Sequence, residues 1–551
     1  MAENNTANTG AVNELRNRHD SRMVEIVGPD GQHKKVVAAD MTEADNELAV
    51  KFGYNPVFQR EFGYLATFSF AVSISGVFST IMTTMSYPLE AGGSSAVVWC
   101  WAISGAGCMC IACSVAELVS AYPTAGGLYF TISRMAPNKW VPSISWVTGW
   151  LNLLGQVAGV ASSEYGAAQM LLAAVSMSRD FKYTISTDTT VGVMAALTVS
   201  TGLVNSLSTY WMEKMTKFYV IFHTAVIVAC AIALLVLTED KHDAEYVFTN
   251  VESSSGWKPI GFSWLFGFLS VSWTMTDYDA TAHITEEISE PEKKAPWAIS
   301  TAMLFTYVLG FLFNIVLCFC MGDPTSILNS PMEQPVAQIF YNSLGKGGGM
   351  FFTIAALIII KFVTFTAMQS LGRTVFAFGR DRLLPFSNVW TKVSPWTGTP
   401  LYAVWISVFF CIAINLIGLG SYTAIDGIFT LCSIALDWSY CIPILCRLFF
   451  GNFQPGPWHM GPLGPYVNAW ACLWTLFVSI IFVLPTDMPV KPDNMNYSSV
   501  YVAAVLLFAL IYWVIRGKAV YTGPVTEAIA DDLSESEVID NDKKKDNGPT
   551  V

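Results

Sequence analysis

The stretches YLATFSFAVSISGVFSTIM, residues 64–82, and WLFGFLSVSWTMTDYDATAHITEE, residues 264–287, decide the fold of this chain. Both are apolar enough to enter a membrane, but each is interrupted near its centre. Small and β-branched residues fill 73–77 in the first, and hydroxyl residues surround Trp273 and Asp277 in the second. An unwound stretch frees backbone N–H and C=O groups, which a bilayer tolerates only where they line a cavity or a ligand. The two stretches therefore predict two membrane helices that break at mid-depth.

The rest of the chain has the composition of a membrane protein. Of its 551 residues, 53% are hydrophobic and 13% are charged, and the mean hydropathy is +0.45. Soluble domains carry about 25% charged residues. Basic residues concentrate in alternate loops, so the positive-inside rule predicts both termini in the cytosol. The apolar runs predict about twelve spans, near 62–86, 95–121, 143–176, 190–210, 216–238, 260–283, 296–321, 348–372, 400–420, 424–448, 466–485 and 497–516.

These spans predict an all-α polytopic membrane fold. Two interrupted helices five spans apart are typical of a five-plus-five inverted repeat, here with spans one and six broken and two peripheral helices following. The small residues of span one are equally compatible with close helix packing. Packing explains the carboxylate of span six less well, because inserting it at mid-membrane costs about 2.5–3.5 kcal/mol.

The predicted organisation has three parts. Residues 1–61 form a cytosolic N-terminal tail, in which 43–62 has the pattern of a short amphipathic helix on the inner membrane face. Residues 62–516 form the membrane domain. Residues 517–551 form a cytosolic tail whose acidic, serine and lysine residues predict disorder or a plain solubilising role.

Other chemistries find no support in the sequence. The 12 cysteines lie in or beside apolar segments and form no cluster with histidine, so neither disulfides nor a metal site is expected. We find no nucleophile and base in a supporting context, so the chain is not expected to be an enzyme, and no cofactor is predicted. The net charge of −12 arises mainly from the tails and two loops, which argues against a nucleic-acid partner.

Four motifs carry a family resemblance. They are Glu47-Leu48-Ala49 with Gly53-Tyr54 and Arg60-Glu61-Phe62, AELVSAYPTAGGLYF from Ala116, SWTMTDYDATAHITEE from Ser272, and FAFGRDRLLP from Phe376. With them the chain resembles the amino acid/polyamine/organocation superfamily, and within it the fungal branch of GABA, polyamine and choline permeases. The resemblance implies the inverted-repeat fold, a central site between spans one and six, and proton-coupled uptake.

Candidate substrate-binding residues flank the two predicted breaks. The start of a half-helix suits a carboxylate, whereas freed carbonyls and carboxylates suit an ammonium group. Asp277 is the candidate for the ammonium contact. The equally weighted alternative is that Asp277 is a hydrogen-bonded structural acid. The predicted substrate-binding residues are Ser73, Ser75, Gly76 and Val77 in span one, and Trp273, Thr274 and Asp277 in span six.

Candidate coupling residues include two ionisable groups deep in the membrane. Lys361 lies near mid-depth of span eight. In sodium-coupled relatives of this fold, spans one and eight frame a sodium site, so a fixed ammonium there is predicted to replace the ion. The alternative is an ion pair with Glu117 or Glu164. Glu164 is therefore either the partner of Lys361 or a proton carrier.

The inner end of span six holds the remaining coupling and gating candidates. Asp279 follows an aromatic residue, as the acid often does in the family, which implies a structural or gating role. His283, Glu286 and Glu287 are predicted to join an inner-gate network of ion pairs. A proton relay through His283 is the alternative.

The sequence thus predicts a fungal permease that imports a small amine or amino acid with protons by alternating access. GABA-like solutes are the first choice, and choline or polyamines the second. A nutrient sensor with the same fold and little transport is the alternative class. The expected location is the plasma membrane, with a vacuolar or other internal membrane as the alternative, and the tails are expected to meet trafficking or ubiquitylation machinery.

Overall fold

A computed structural model describes residues 23–27, 33–37, 44, 45, 48, 52, 54 and 58, and residues 60–524 except 420, 421, 492 and 493. The chain divides into two compact units, Arg60–Pro524 and the tails Met1–Gln59 with Val525–Val551. Strands Met23–Val27 and His33–Val37 pair antiparallel in the tail unit, a hairpin that the sequence analysis does not predict. The amphipathic segment is described at a few positions, where residues 44, 45, 48 and 52 are helical. The predicted disordered segment beyond residue 524 lies outside the described residues.

The larger unit contains twelve helical spans in its described residues, of which spans one and six are broken near their centres, and spans two and eight are kinked nearer one end, at Gly92–Gly93 and at Gly345. Shorter helices between the spans are Leu128–Met135, Ala244–Thr249, Pro324–Leu328 and Ser387–Trp390, with single turns at Thr285–Glu287 and Gly461–Leu463. In chain order, spans one to twelve are Tyr64–Ser75 with Val77–Thr84; Ser86–Ala121; Val141–Ser178; Thr187–Asn205; Thr209–Leu237; Ile260–Trp264, Leu265–Gly267 and Phe268–Thr274 with Ala280–His283; Pro291–Cys320; Pro335–Arg380; Leu401–Asn415 with Leu416–Leu419; Tyr422–Phe450; Gly464–Val483; and Ser498–Tyr512, continued by Trp513–Gly517 and Lys518–Val520.

Nine of these spans are long and apolar enough to cross a membrane by length and composition, counting the described residues. Spans three, four and six do not meet that standard. Span three carries the buried polar side chains of Asn152, Gln156 and Glu164. Span six is divided into short helices. The polar groups of spans three and six are tolerated because other spans surround them.

Spans one and six lie at the centre of the unit, and span twelve lies at its edge. In the most apolar 18-residue stretch of span one 89% of the residues are buried, whereas in the corresponding stretch of span twelve only 11% are buried. Span three packs along spans eight and ten, and span seven packs along span two. Two central broken helices inside this frame, with peripheral helices at the C-terminal end, match the predicted fold class.

The break in span one rests on a glycine. Gly76 has φ +44° and ψ +44°, the left-handed conformation, and it separates Tyr64–Ser75 from Val77–Thr84. A side chain is disfavoured there because the left-handed conformation crowds Cβ against the following carbonyl. A Cβ at Gly76 would also lie 2.2 Å from Cγ2 of Val363 in span eight. Backbone conformation and packing therefore both require glycine.

The break in span six is made without glycine. The helix ends at Thr274, and Met275 leaves helical geometry with φ −103° and ψ +45°. Asp277 then adopts φ +56°. Aspartate enters this region more readily than most residues because its short polar side chain can bond locally. The helix resumes at Ala280.

Replacing Gly76 with alanine should destabilise the protein and abolish its transport. The left-handed backbone costs about 1–2 kcal/mol and the overlap with Val363 about 1–3 kcal/mol. Thermal unfolding and substrate uptake of Gly76→Ala measure both effects. Gly63→Ala is the matched control, because its Cβ would meet no atom within 4 Å. Equal stability and uptake in the two variants would show that the break does not depend on this glycine.

Candidate functional site

A narrow cavity lies between the two breaks. Its volume is about 20 Å³, which admits a water molecule but not an amino acid. The described conformation is therefore closed around its centre, and a substrate requires the surrounding spans to separate. The cavity is lined by Ile74, Thr80, Gly159, Ser163, Trp273, Thr276, Asp277, Val363, Ala367 and Cys432, from spans one, three, six, eight and ten.

Asp277 is the only acid on this lining. Its side chain is 6% exposed, and its Oδ1 atom has no hydrogen-bond partner among the described residues. The neighbouring hydroxyl of Thr276 is also buried and unpartnered. A buried polar atom without a partner is costly, so native structures seldom keep one without a reason. An acceptor that faces a cavity at a helix break is suited to a cationic group of a ligand.

The structure places two of the seven predicted substrate-binding residues on the cavity lining and the other five outside it. Trp273 and Asp277 line the cavity. Ser73 does not, since its hydroxyl donates to the Phe70 carbonyl at 2.7 Å and bonds Thr366 Oγ1 at 3.0 Å. The remaining four are buried beside the breaks without lining the cavity: Ser75 and Thr274, whose hydroxyls have no partner among the described residues, and Gly76 and Val77.

The other residues that line the cavity were not predicted from the sequence. Ser163 and Cys432 carry no pattern that separates them from ordinary residues of a packed helix. Thr80 and Thr276 offer a weak signal, because each lies within four residues of a predicted break. A periodicity argument from Gly76 would place Thr80 on the same face, one helical turn further along.

A chain of aromatic rings leads from this cavity toward a second pocket. Trp273 lies 4.8 Å from Phe429, and Phe429 lies 5.9 Å from Tyr87, measured between ring centroids. Tyr87 lines the second pocket, of about 100 Å³, together with the acids Glu90, Asp426 and Asp487. Burial raises the pKa of the Asp487 carboxyl, which lies in the loop before span twelve. This pocket is formed by parts of spans two, six and ten together with loops opposite the predicted cytosolic side.

The opposite end of the site is held by buried ion pairs. Glu286 bonds Arg380 with a shortest distance of 3.0 Å, and Glu287 bonds Nε of Arg373. These carboxylates are 2% and 1% exposed. Arg60 donates to two backbone carbonyls in the same segment, at 2.6 and 3.1 Å. The start of span one and the inner ends of spans six and eight are thereby held together.

Asp279 and His283 belong to a hydrogen-bonded cluster beneath the cavity. The Asp279 carboxylate accepts from Asn152 Nδ2 at 2.6 Å and from the Tyr440 hydroxyl. His283 places Nε2 3.3 Å from the same carboxylate and Nδ1 2.9 Å from the Ala125 carbonyl. Both ring nitrogens of His283 therefore face acceptor oxygens. The cluster joins spans three, six and ten.

Of the two alternatives for Lys361, the structure contains the ion pair with Glu164. Its ammonium donates to both oxygens of Glu164, at 2.8 and 2.9 Å, to Thr201 Oγ1 at 2.7 Å and to the Leu197 carbonyl at 3.2 Å. It therefore binds spans three and four, and no bond to span one is present among the described residues. The buried carboxylate of Glu164 attracts the ammonium away from span one. Glu117, the other candidate partner, pairs with Arg447.

Two discontinuous helices around a closed central cavity, inside a frame of polytopic spans, define a membrane carrier of the broken-helix class. A model of the family described as amino acid permease matches residues 62–506. The chain is 59% identical over 486 residues to an uncharacterized amino-acid permease of Schizosaccharomyces pombe, covering 88% of this chain and 90% of that protein. It is 48% identical over 488 residues to amino-acid permease 2 of Neurospora crassa, with the same shares covered. It is 29% identical over 496 residues to the Arabidopsis thaliana amino-acid permease BAT1, covering 87% of this chain and 96% of that protein.

The chain belongs to the amino acid permease family, and the predicted superfamily is confirmed. It is a multi-pass membrane protein with the function of an amino-acid permease. The relatives are named as permeases, which agrees with the expectation that the chain is not an enzyme.

Replacing Glu287 with glutamine should open the inner end of the site. Removing one partner of a buried ion pair leaves the other charge uncompensated and costs about 3–5 kcal/mol. We expect lower thermal stability and faster labelling of a cysteine placed at Gln369, which donates to Glu287 at 3.3 Å. The double variant Glu287→Gln with Arg373→Met should recover part of the stability. Asp180→Asn, which breaks an exposed pair with Lys346, is the control and should change little.

Lys361→Met should lower stability, because it leaves Glu164 buried with the Thr201 hydroxyl as its remaining donor. The loss expected is again about 3–5 kcal/mol. Adding Glu164→Gln should restore the stability. Uptake in the double variant then separates the roles: recovery indicates a structural ion pair, and continued loss indicates that the pair takes part in coupling. Native stability in Lys361→Met alone would contradict the importance of the pair.

Proposed function

We propose that this permease imports an amino acid with a cationic amine, GABA-like solutes first, together with protons. The observation that carries the proposal is the unpartnered carboxylate oxygen of Asp277 in the central cavity. A carboxyl group there favours substrates whose ammonium can reach the break in span six, because the ammonium would compensate the charge of the carboxylate.

Two features support a zwitterionic substrate over a simple cation. The half-helix Val77–Thr84 begins at the break in span one, so the positive end of its dipole lies there, although the N–H groups of Phe78, Ser79 and Thr80 already have acceptors. A carboxylate is suited to that end, while the ammonium meets Asp277. A GABA-like solute carries both groups, so it could use both sites. Choline and polyamines would use the Asp277 site alone.

The closed inner end supports alternating access. Ion pairs hold spans one, six and eight together on the predicted cytosolic side, while the acidic pocket lies on the other side. An amine-bearing solute arriving from outside would first meet Glu90, Asp426 and Asp487, whose carboxyl oxygens can accept hydrogen bonds from an ammonium group. Opening the inner pairs would then release the solute to the cytosol.

We place the protein at the plasma membrane, with both tails in the cytosol as contact points for trafficking or ubiquitylation machinery. The excess of basic residues in alternate loops supports this orientation. A fluorescent fusion imaged in intact fungal cells would test the location, and signal confined to the vacuolar membrane would contradict it.

The direct test is uptake of labelled GABA at acidic external pH, in cells that lack their own permeases. Saturable uptake that collapses with a protonophore would support the proposal. Unlabelled choline, putrescine and amino acids serve as competitors. Absence of GABA uptake, in protein shown to reach the surface, would contradict the substrate, and uptake indifferent to the protonophore would contradict proton coupling.

Asp277→Asn should weaken the apparent affinity for amine-bearing substrates. Losing a hydrogen bond to a charged group costs about 1.5–3 kcal/mol, which corresponds to roughly 10–100-fold. The measurement is the half-saturation concentration for GABA. Asp437→Asn is the matched control, because Asp437 is also a buried acid but does not line the cavity. Equal affinities in the two variants would remove Asp277 from the site.

A further inference from the structure

His223 of span five contacts the break in span one. The backbone N–H of Phe78 points at Nε2 of His223, with the two nitrogen atoms 3.3 Å apart. The histidine side chain is fully buried. The sequence analysis did not select it, because a lone histidine in an apolar helix has no pattern that distinguishes it.

This contact fixes the protonation state of the ring. A backbone N–H only donates, so Nε2 must present its lone pair, and the proton of the neutral imidazole resides on Nδ1. Nδ1 has no hydrogen-bond partner among the described residues. The described conformation therefore holds a neutral histidine with one nitrogen engaged and the other free.

The Phe78 N–H has a particular need for this acceptor. It is the second residue of the half-helix Val77–Thr84, and the first N–H groups of a helix have no partner within the helix. The next two donors are satisfied locally, since Ser79 and Thr80 N–H both donate to the Gly76 carbonyl. In a membrane interior without water, Phe78 depends on His223.

A proton on Nε2 would remove the acceptor and reverse the interaction. Two hydrogens would then face each other, and the ring would carry a positive charge at the positive end of the half-helix. Both effects favour a conformation in which the half-helix moves away from span five. The half-helix also reaches the central cavity, because Thr80 lines it.

The charged groups around His223 are few. Tyr219, one turn away on span five, stacks on the ring with the centroids 5.3 Å apart, and its hydroxyl has no partner in the part of the chain that the structure describes. On span eight, Lys361 is bonded to Glu164 and Thr201. Span one carries Tyr64 at its exposed start, and on span seven the ionisable groups are Glu292, Lys293, Lys294, Tyr307, Cys318 and Cys320. No described group forms an ion pair with His223, so the charge of its protonated ring is uncompensated in this conformation.

We propose that His223 is a proton-binding site that couples protonation to movement of the half-helix Val77–Thr84. This inference rests on the proposed proton coupling and gives it a residue. The proton binds Nε2 when the Phe78 N–H departs, and it leaves when that N–H returns. Substrate in the cavity and the proton at His223 act on the same half-helix from two sides. By thermodynamic linkage, each then changes the affinity for the other by the same factor.

Hydrogen–deuterium exchange of the full chain in lipid nanodiscs tests the proton site without a substrate. Protection of peptides covering 77–84, corrected for intrinsic exchange, should fall at least about fivefold between about pH 8 and pH 5, as expected for loss of one hydrogen bond. In His223→Gln the side-chain oxygen can still accept from Phe78 but does not titrate, so protection should not change with pH. Tyr219→Phe is the control and should behave like the native chain.

The results distinguish this inference from the proposed function. Protection that is independent of pH in the native chain, or dependent on pH to the same extent in His223→Gln, would overturn the inference. If that occurs while GABA uptake is proton-driven, the proposed function stands without His223. If protection depends on His223 but GABA is not carried, the proton site stands and the substrate is wrong. In transport, His223→Gln should retain GABA exchange within about twofold and lose proton-driven accumulation.

Discussion

Backbone hydrogen bonding inside the bilayer is the constraint on which this structure depends. A peptide group that leaves a helix at mid-membrane must find another partner, and the protein supplies partners at the break in span one from side chains. Thr80 Oγ1 donates to the Ser75 carbonyl at 2.9 Å, Ser79 Oγ donates to the Gly76 carbonyl at 2.9 Å, and His223 accepts from Phe78. The hydroxyl residues that make the span look weak as a membrane helix are thus the residues that allow it to break.

The polar groups of the protein are arranged in separate layers along the spans. Ion pairs of Glu286 and Glu287 lie at one end, the cluster around Asp279 lies beneath the cavity, and the Lys361–Glu164 pair lies to the side. Each pair joins spans that are far apart in sequence. Because a buried pair is strongly destabilised when one partner is lost, these layers specify which spans meet, even where they add little net stability. Asp277 differs from all of them in retaining an unpartnered oxygen.

The fold was predictable from sequence because its signals are local. Apolar runs gave the spans, and Gly76 and Asp277 marked both breaks within a residue or two of their observed positions. The site was less predictable because it is assembled from five spans. Trp273 and Asp277 were found because they lie at a break, whereas Ser163, Cys432 and His223 are identified only by their neighbours in space. For Lys361 the sequence left two alternatives open, and the contact with Glu164 matches the ion pair, since sequence shows the depth of a charge in the membrane but not the direction of its side chain.

The ion pair between Glu164 and Lys361 has a consequence for biosynthesis. The two residues are 197 positions apart, so span three leaves the ribosome long before span eight exists. During that interval the carboxylate has no permanent counterion, and span three by itself lacks the apolar character of an independent membrane segment. Span three therefore acquires its permanent counterion only after most of the chain has been synthesised.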